Sequence, residues 1–151
     1  MKKDRELDQH ALPRLPCACA VFRRASRATT RVYERQLRGT GLNIAQFTLL
    51  QALSHVEPIT QGRLGRMLAL DSTTLSRTLR PLEARRWLRS ASGNDRRERL
   101  LELTAAGRSQ LERTTPAWER AQKALKARLG EERWERLLSE LSMLAGVVGD
   151  A

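Results

Sequence analysis

Apolar side chains recur along the chain in two different periods, and the switch between periods marks out its elements. From Cys17 to Leu37, Ala18, Val21, Phe22, Ala25, Thr29 and Val32 repeat at helical spacing, and Gly39-Thr40-Gly41 stops that helix. Asn43 with Gln46 three residues on reads as a capping box, and Leu42 with Phe47 as its hydrophobic staple. This predicts a helix to about Ser54, ended by Pro58. Thr60, with Ile59 and Leu64 as staple, predicts a short helix closing near Leu68. Ala69-Leu70 forms a tight turn, and Asp71 or Ser72 caps the next helix. Leu75, Leu79 and Leu82 share one face of it, so Thr73, Arg77, Arg80 and Ala84 point the other way. Pro81 lacks an N–H and should kink or shorten this helix.

After Arg86 the period changes. Trp87-Leu88-Arg89-Ser90 reads as a strand, Ser92-Gly93-Asn94-Asp95 as a turn and Arg99–Leu103 as the return strand, giving one β-hairpin with a basic tip. Thr104 caps a long helix that Pro116 should bend and Gly130 closes. The last helix carries Trp134, Leu137, Leu138, Leu141, Leu144, Ala145 and Val148, a seam too broad for a lone surface helix. The order is four helices, a hairpin and two helices. Two short helices around a tight turn, followed by a hairpin, make a winged helix-turn-helix. The expected fold is therefore mainly α, with a helical dimerisation region drawn from both ends. In residue terms, 1–14 form a flexible arm, 15–42 and 105–151 the dimerisation helices, and 43–104 the winged lobe. The apolar faces of the flanking helices exceed what that lobe can cover, so a second copy is the expected partner.

With 151 residues the chain is long enough for one domain and not two. A net charge of +11 makes a polyanion the natural partner, and the 4% aromatic content argues against a stacking platform for single strands. Residues 60–99 hold ten arginines against four acids, Asp71, Glu83, Asp95 and Glu98. A major groove about 12 Å wide admits a helix. Thr73 and Arg77 have the face and reach to meet base edges, while Ser72, Thr74, Ser76 and Arg80 flank them and suit phosphates. The rival reading is a helical protein-binding adaptor whose charge is incidental; a basic hairpin tip serves DNA and has no use in an adaptor.

The stretch Asp95-Arg96-Arg97-Glu98-Arg99-Leu100-Leu101-Glu102-Leu103-Thr104, followed by Gly107, closely resembles the wing signature of MarR-type regulators. Gly62–Arg77 resembles their helix-turn-helix, and the resemblance extends over about residues 15–148. It implies a dimeric transcription factor, a repressor by family habit. Two recognition helices would then sit roughly 34 Å apart on a pseudopalindromic operator. It further implies that Arg97 enters the minor groove and that Asp95 steadies it, with Arg96 as a substitute. Where the family often has Gly at the end of the recognition helix, this chain has Arg86, which must adopt left-handed geometry or end the helix differently.

Cys17 and Cys19 open the first helix near Arg14, Arg23 and Arg24. Three readings stand open: small packing residues in a dimer seam, a redox thiol, and a soft-metal or metalloid pair. Peroxide-sensing relatives carry a cysteine near this helix start. Matching Ser26-Arg27 and Tyr33 to them places Cys19 at that position and Tyr33 as its tyrosine partner, while their second tyrosine falls at Arg23. The inducer is thus a small ligand, an oxidant or a thiophilic metalloid. His10 and His55 stand alone, and Trp87, Trp118 and Trp134 are expected in the core or an interface. There is no P-loop, dinucleotide fingerprint, nucleophile elbow or zinc-site spacing, so no catalytic residue, cofactor or resident metal is expected. A charged N-terminus without an apolar signal segment, and no apolar run of roughly 18 residues, point to the cytoplasm.

Overall fold

The capping residues read from the sequence start the helices of the computed structural model, which describes residues 17–92 and 98–149. Helix α1 is Ala18–Leu37, α2 Ile44–Val56, α3 Gln61–Met67, α4 Ser72–Ala84, α5 Ala105–Leu129 and α6 Glu131–Gly149. The strands are β1 Ile59–Thr60, β2 Leu88–Ser92 and β3 Arg99–Leu103. The expected arm, 1–14, lies outside the described residues. Asn43 accepts from the Gln46 N–H at 2.9 Å while the Gln46 side chain accepts from the Asn43 N–H at 3.2 Å, which completes the capping box of α2. Thr60, Asp71 and Thr104 cap α3, α4 and α5 by the side-chain half of that pattern alone, each accepting the N–H three residues on.

Phe47, Leu50 and Leu53 of α2, Leu64 of α3, Leu75, Leu79 and Leu82 of α4 and Leu101 of β3 are fully buried together. Burying one such side chain contributes roughly 1.5–3 kcal/mol, against about 1 kcal/mol for a cap. Packing therefore holds the lobe together and the caps set where each helix begins. Leu37, Leu42 and Ala117 join this core, so the C-terminal end of α1 and the middle of α5 are anchored to the winged lobe. Trp118 of α5 stacks on Phe47, with ring centroids 5.7 Å apart. Buried Gln110 donates to the Thr40 carbonyl at 2.6 Å and ties α5 to the link between α1 and α2.

The sheet has three antiparallel strands in the order β1-β3-β2, with Ile59 opposite Leu101 and Leu88 opposite Leu103. Strand β1 escapes a sequence reading because two residues carry no alternation; it forms only because β3 offers an edge. Pro81 does not shorten α4, which continues to Ala84. The carbonyl that loses its helical partner is that of Arg77, an exposed residue. Helix α5 likewise runs on through Pro116.

The end of α4 is built with unusual economy. Trp87 N–H donates to Leu82 O and Arg86 N–H to Glu83 O, at 2.9 and 2.8 Å. These two bonds form a Schellman motif, and Arg86 occupies its left-handed position at φ +57°. Of the two outcomes open to Arg86, the structure has the left-handed one. Trp87 O then accepts the Thr104 N–H at 3.1 Å, while the Thr104 hydroxyl donates to Arg86 O at 2.7 Å. Gly107 packs directly on the same carbonyl: a Cβ there would lie 1.8 Å from Trp87 O. Glu57 closes the other side, accepting from the Leu103 N–H and pairing with Arg108.

Gly107→Ala should therefore cost at least about 2 kcal/mol of unfolding free energy in a urea titration, because backbone must move to admit the methyl. Gly62→Ala, whose added Cβ meets only an Arg66 nitrogen at 3.9 Å, should be neutral or stabilising. Equal effects at the two sites would refute the close-packed joint.

Candidate nucleic-acid interface

The turn between α3 and α4 fixes how α4 is presented. Leu70 N–H donates to Gly65 O at 2.9 Å and Ala69 N–H to Arg66 O at 3.1 Å, a second Schellman motif with Ala69 at φ +50°. Gly65 lets the helices approach; a Cβ there would sit 3.1 Å from Leu70 O and 3.3 Å from the Leu75 side chain. Asp71 begins α4: its carboxylate accepts the Thr74 hydroxyl at 2.7 Å and the Thr74 N–H at 2.8 Å. Those hydrogen bonds, the hydroxyl first, hold the Asp71 carboxyl below the usual carboxylate range.

With Leu75, Leu79 and Leu82 buried, Ser72, Thr73, Ser76, Arg77 and Arg80 are all exposed. Arg77 and Arg80 form no ion pair among the described residues. Other arginines nearby are engaged. Arg85 donates to Gly41 O at 2.5 Å and lies 4.8 Å over the Trp87 ring. Arg89 pairs with Glu102 across the hairpin at 2.6 Å, and Arg99 pairs with Glu83. The face of α4 thus leaves two guanidinium groups unneutralised beside a row of small hydroxyls.

Two residues of that row are placed differently from expectation. Thr74 is half-buried and spends its hydroxyl on Asp71, on the side of α4 turned toward α1 and α2, so it is a capping partner rather than an outward contact. Ser76 is exposed but accepts from the Gln61 side chain at 3.0 Å. Gln61 in turn accepts from Arg99 at 3.5 Å. The chain Ser76–Gln61–Arg99–Glu83 links α3, α4 and the start of β3, at the turn end of the hairpin. No spacing in the sequence announces it, since its members lie on three elements brought together only by the fold. Asp95, Arg96 and Arg97, at the expected wing tip, lie outside the described residues.

Residues 40–98 match the family model described as MarR family. The chain is 31% identical over 80 residues to the HTH-type transcriptional regulator YwoH of Bacillus subtilis, covering 53% of this chain. It is 29% identical over 106 residues to YdgJ of the same organism, covering 70% of this chain. These alignments span 58% and 65% of the two relatives' own lengths. Among solved structures, the Mycobacterium tuberculosis transcriptional regulator MosR in complex with DNA is 32% identical, with a TM-score of 0.79 over 87% of this chain and 96% of that one. The chain belongs to the MarR family. Its winged helix-turn-helix lobe and flanking helices are those of MarR-family structures, and the fold persists at 22% identity in the Staphylococcus aureus MepR–DNA complex, with a TM-score of 0.74.

Two further regions of this MarR-family chain bear on the sensor residues read from its sequence. Cys17 and Cys19 are exposed, unbridged thiols at the start of α1, in a shallow pocket shared with Arg23, Arg24 and Arg27. Tyr33 is not beside them. It lies 14 residues along α1 from Cys19, roughly 21 Å at 1.5 Å per residue, and its hydroxyl donates to Gln122 of α5 at 2.7 Å. Burial raises its ionisation above the usual phenol value. Within one chain the structure therefore does not bring the tyrosine to the thiol. A second, larger cavity of about 630 Å³ lies between α1, α2 and α4, walled by Ile44, Leu49, Leu68 and Leu70 and reaching Thr74 and Thr78.

Proposed function

We propose that the chain is a dimeric, sequence-specific duplex-DNA-binding repressor, released from its operator by a small ligand or by thiol modification. The observation that carries this reading is the outward face of α4, where exposed Arg77 and Arg80 have no acid partner among the described residues and stand beside Thr73 and Ser72. Arg77 reads a guanine through two hydrogen bonds, Thr73 meets the neighbouring base, and Arg80 and Ser72 hold phosphates. Arg97, steadied by Asp95 or replaced by Arg96, enters the flanking minor groove. That MosR is solved in complex with DNA, and the repressor CouR bound to a 23-mer duplex, supports the choice of partner. The adaptor reading requires no DNA affinity at all. Arg77→Ala should weaken binding to a selected duplex by about 1–3 kcal/mol and leave random duplex nearly unaffected. Equal losses on both, measured by fluorescence anisotropy, would reassign Arg77 to the phosphates.

The dimer rests on apolar faces that the chain leaves open. Val21 and Phe22 of α1 are exposed, as are Leu137, Leu141 and Leu144 of α6, spaced for one helical face. Each of these α6 leucines remains about 40% exposed, although the helix is long enough to bury a full stripe. A second copy covers both faces and sets the two α4 helices roughly one DNA turn apart. Sedimentation should show a dimer at micromolar concentration, and Leu141→Glu, which buries a charge in the seam, should yield monomer or unfolded chain. A well-folded wild-type monomer would exclude the arrangement.

The thiol route is favoured by the exposure of both sulfurs, which a thiol reagent can reach, in a pocket shared with Arg23, Arg24 and Arg27. Modifying the thiols with N-ethylmaleimide should lower DNA affinity in the wild type and not in a Cys17→Ser, Cys19→Ser double variant. Full affinity in the modified wild type would leave ligand binding as the sole route.

A further inference from the structure

Hydrogen bonds have a direction, and on the flank of α4 turned toward β3 that direction is fixed from end to end. The Glu83 carboxylate only accepts and the Arg99 guanidinium only donates, so their pair has one sense. Arg99 donates again to Gln61 Oε1 at 3.5 Å, which fixes the way the Gln61 amide lies. With its oxygen toward a group that has no lone pair, its NH2 must face Ser76. Gln61 Nε2 then donates to Ser76 Oγ at 3.0 Å. Ser76 is thereby an acceptor inside the protein, and its own hydrogen has no acceptor among the described residues. The hydroxyls of Thr74 and Thr78 differ: they donate to Asp71 and to the Thr74 carbonyl, at 2.7 and 2.9 Å.

We propose that Gln61 is a positioning residue of the DNA interface, holding Ser76 so that its hydroxyl hydrogen is given to a phosphate oxygen of the bound duplex. The inference rests on the reading of α4 as the DNA-reading helix and adds to it a residue from another helix. Ser72, Ser76 and Arg80 are four residues apart and all exposed, so they form one row along α4. Ser76 thus stands between the two residues assigned to phosphates above. Phosphate oxygens only accept, and a serine that turned its lone pairs outward would repel them. Gln61 excludes that arrangement by occupying the lone pairs itself. Each bond in the series polarises the next, which makes Ser76 a stronger donor than an unassisted serine. Ser72, next in the row, borders an open hollow whose charged lining is Arg66 and Arg99 against Glu98, so this flank is net basic.

The test is a double-variant cycle on the full chain, read as affinity for a duplex selected from a random library and for random duplex. Ser76→Ala and Gln61→Met should each weaken both about tenfold, since the dimer makes the contact twice and one neutral hydrogen bond is worth roughly threefold. The double variant should bind no more weakly than Ser76→Ala, because Gln61 acts through that hydroxyl. The contact is uncharged, so the slope of affinity against salt should stay as in the wild type. Ser76→Ala puts a good helix former at an exposed site and will fold; wild-type affinity in it would overturn the proposal whatever Gln61→Met does. Losses that multiply to about a hundredfold in the double variant would overturn it too, making Gln61 a structural tie. A loss confined to the selected duplex would overturn the phosphate assignment and put Ser76 on a base edge. Arg77→Ala in the same titrations separates the two readings. If it also leaves binding unchanged, α4 is not the DNA-reading helix; if it weakens binding while Ser76→Ala does not, the role of Gln61 alone falls.

Discussion

The carbonyl of Trp87 is the point on which the lobe closes. It accepts the Thr104 N–H, and the missing side chain of Gly107 lets the first turn of α5 rest directly against it. Trp87 also completes the Schellman motif that ends α4. One peptide group thus joins the end of α4, the first strand of the hairpin and the start of the long helix toward the dimer face. Any displacement of α5 is passed to α4 through a contact with no slack, since packed backbone cannot compress as a side chain can. The Glu83–Arg99 pair and the Gln61 bridge add a second tie between α4 and the hairpin. The start of β3 is therefore fixed to α4.

Among the described residues two other than glycine hold left-handed geometry, Ala69 and Arg86, and each sits where a helix must stop abruptly. Such a conformation costs roughly 1–2 kcal/mol for an L-residue. The surrounding hydrogen bonds hold it in place: two close each Schellman motif, and Arg86 is gripped again by Thr104 through its carbonyl. At Arg86 the family's usual glycine would relieve strain, so this chain keeps an arginine there at some expense of stability. Its neighbour Arg85 is held between Gly41 O and the Trp87 ring, which ties the end of α4 to the link after α1. Movement of the link between α1 and α2 thus has a short route to α4.

Much of this architecture was legible because local chemistry and burial agree. Asn43-x-x-Gln46, Thr60, Asp71 and Thr104 are side chains that satisfy the first N–H groups of a helix, and each does so here. The 75, 79, 82 leucine spacing placed the face of α4 correctly, and with it Thr73, Arg77 and Arg80. What escaped notice depends on contacts distant in sequence. Strand β1 exists only against β3, the Gln61–Ser76 and Arg99–Glu83 links cross between elements, and Gly107 is required by the backbone of Trp87, twenty residues earlier. Thr74 was misplaced because a hydroxyl beside Arg reads as a phosphate contact, whereas Asp71 three residues before claims it. Pro81 was overrated as a terminator, since α4 continues through it to Ala84.

The central claim is that α4 and the wing form a basic unit that reads duplex DNA. It is tested most directly by selecting duplexes from a random library with the full chain and titrating salt against the best of them and against random DNA. The account predicts enrichment of an inverted repeat, bound about a thousandfold more tightly than random sequence, with affinity for both falling steeply as salt rises. No enriched sequence, together with binding that is indifferent to salt, would contradict it.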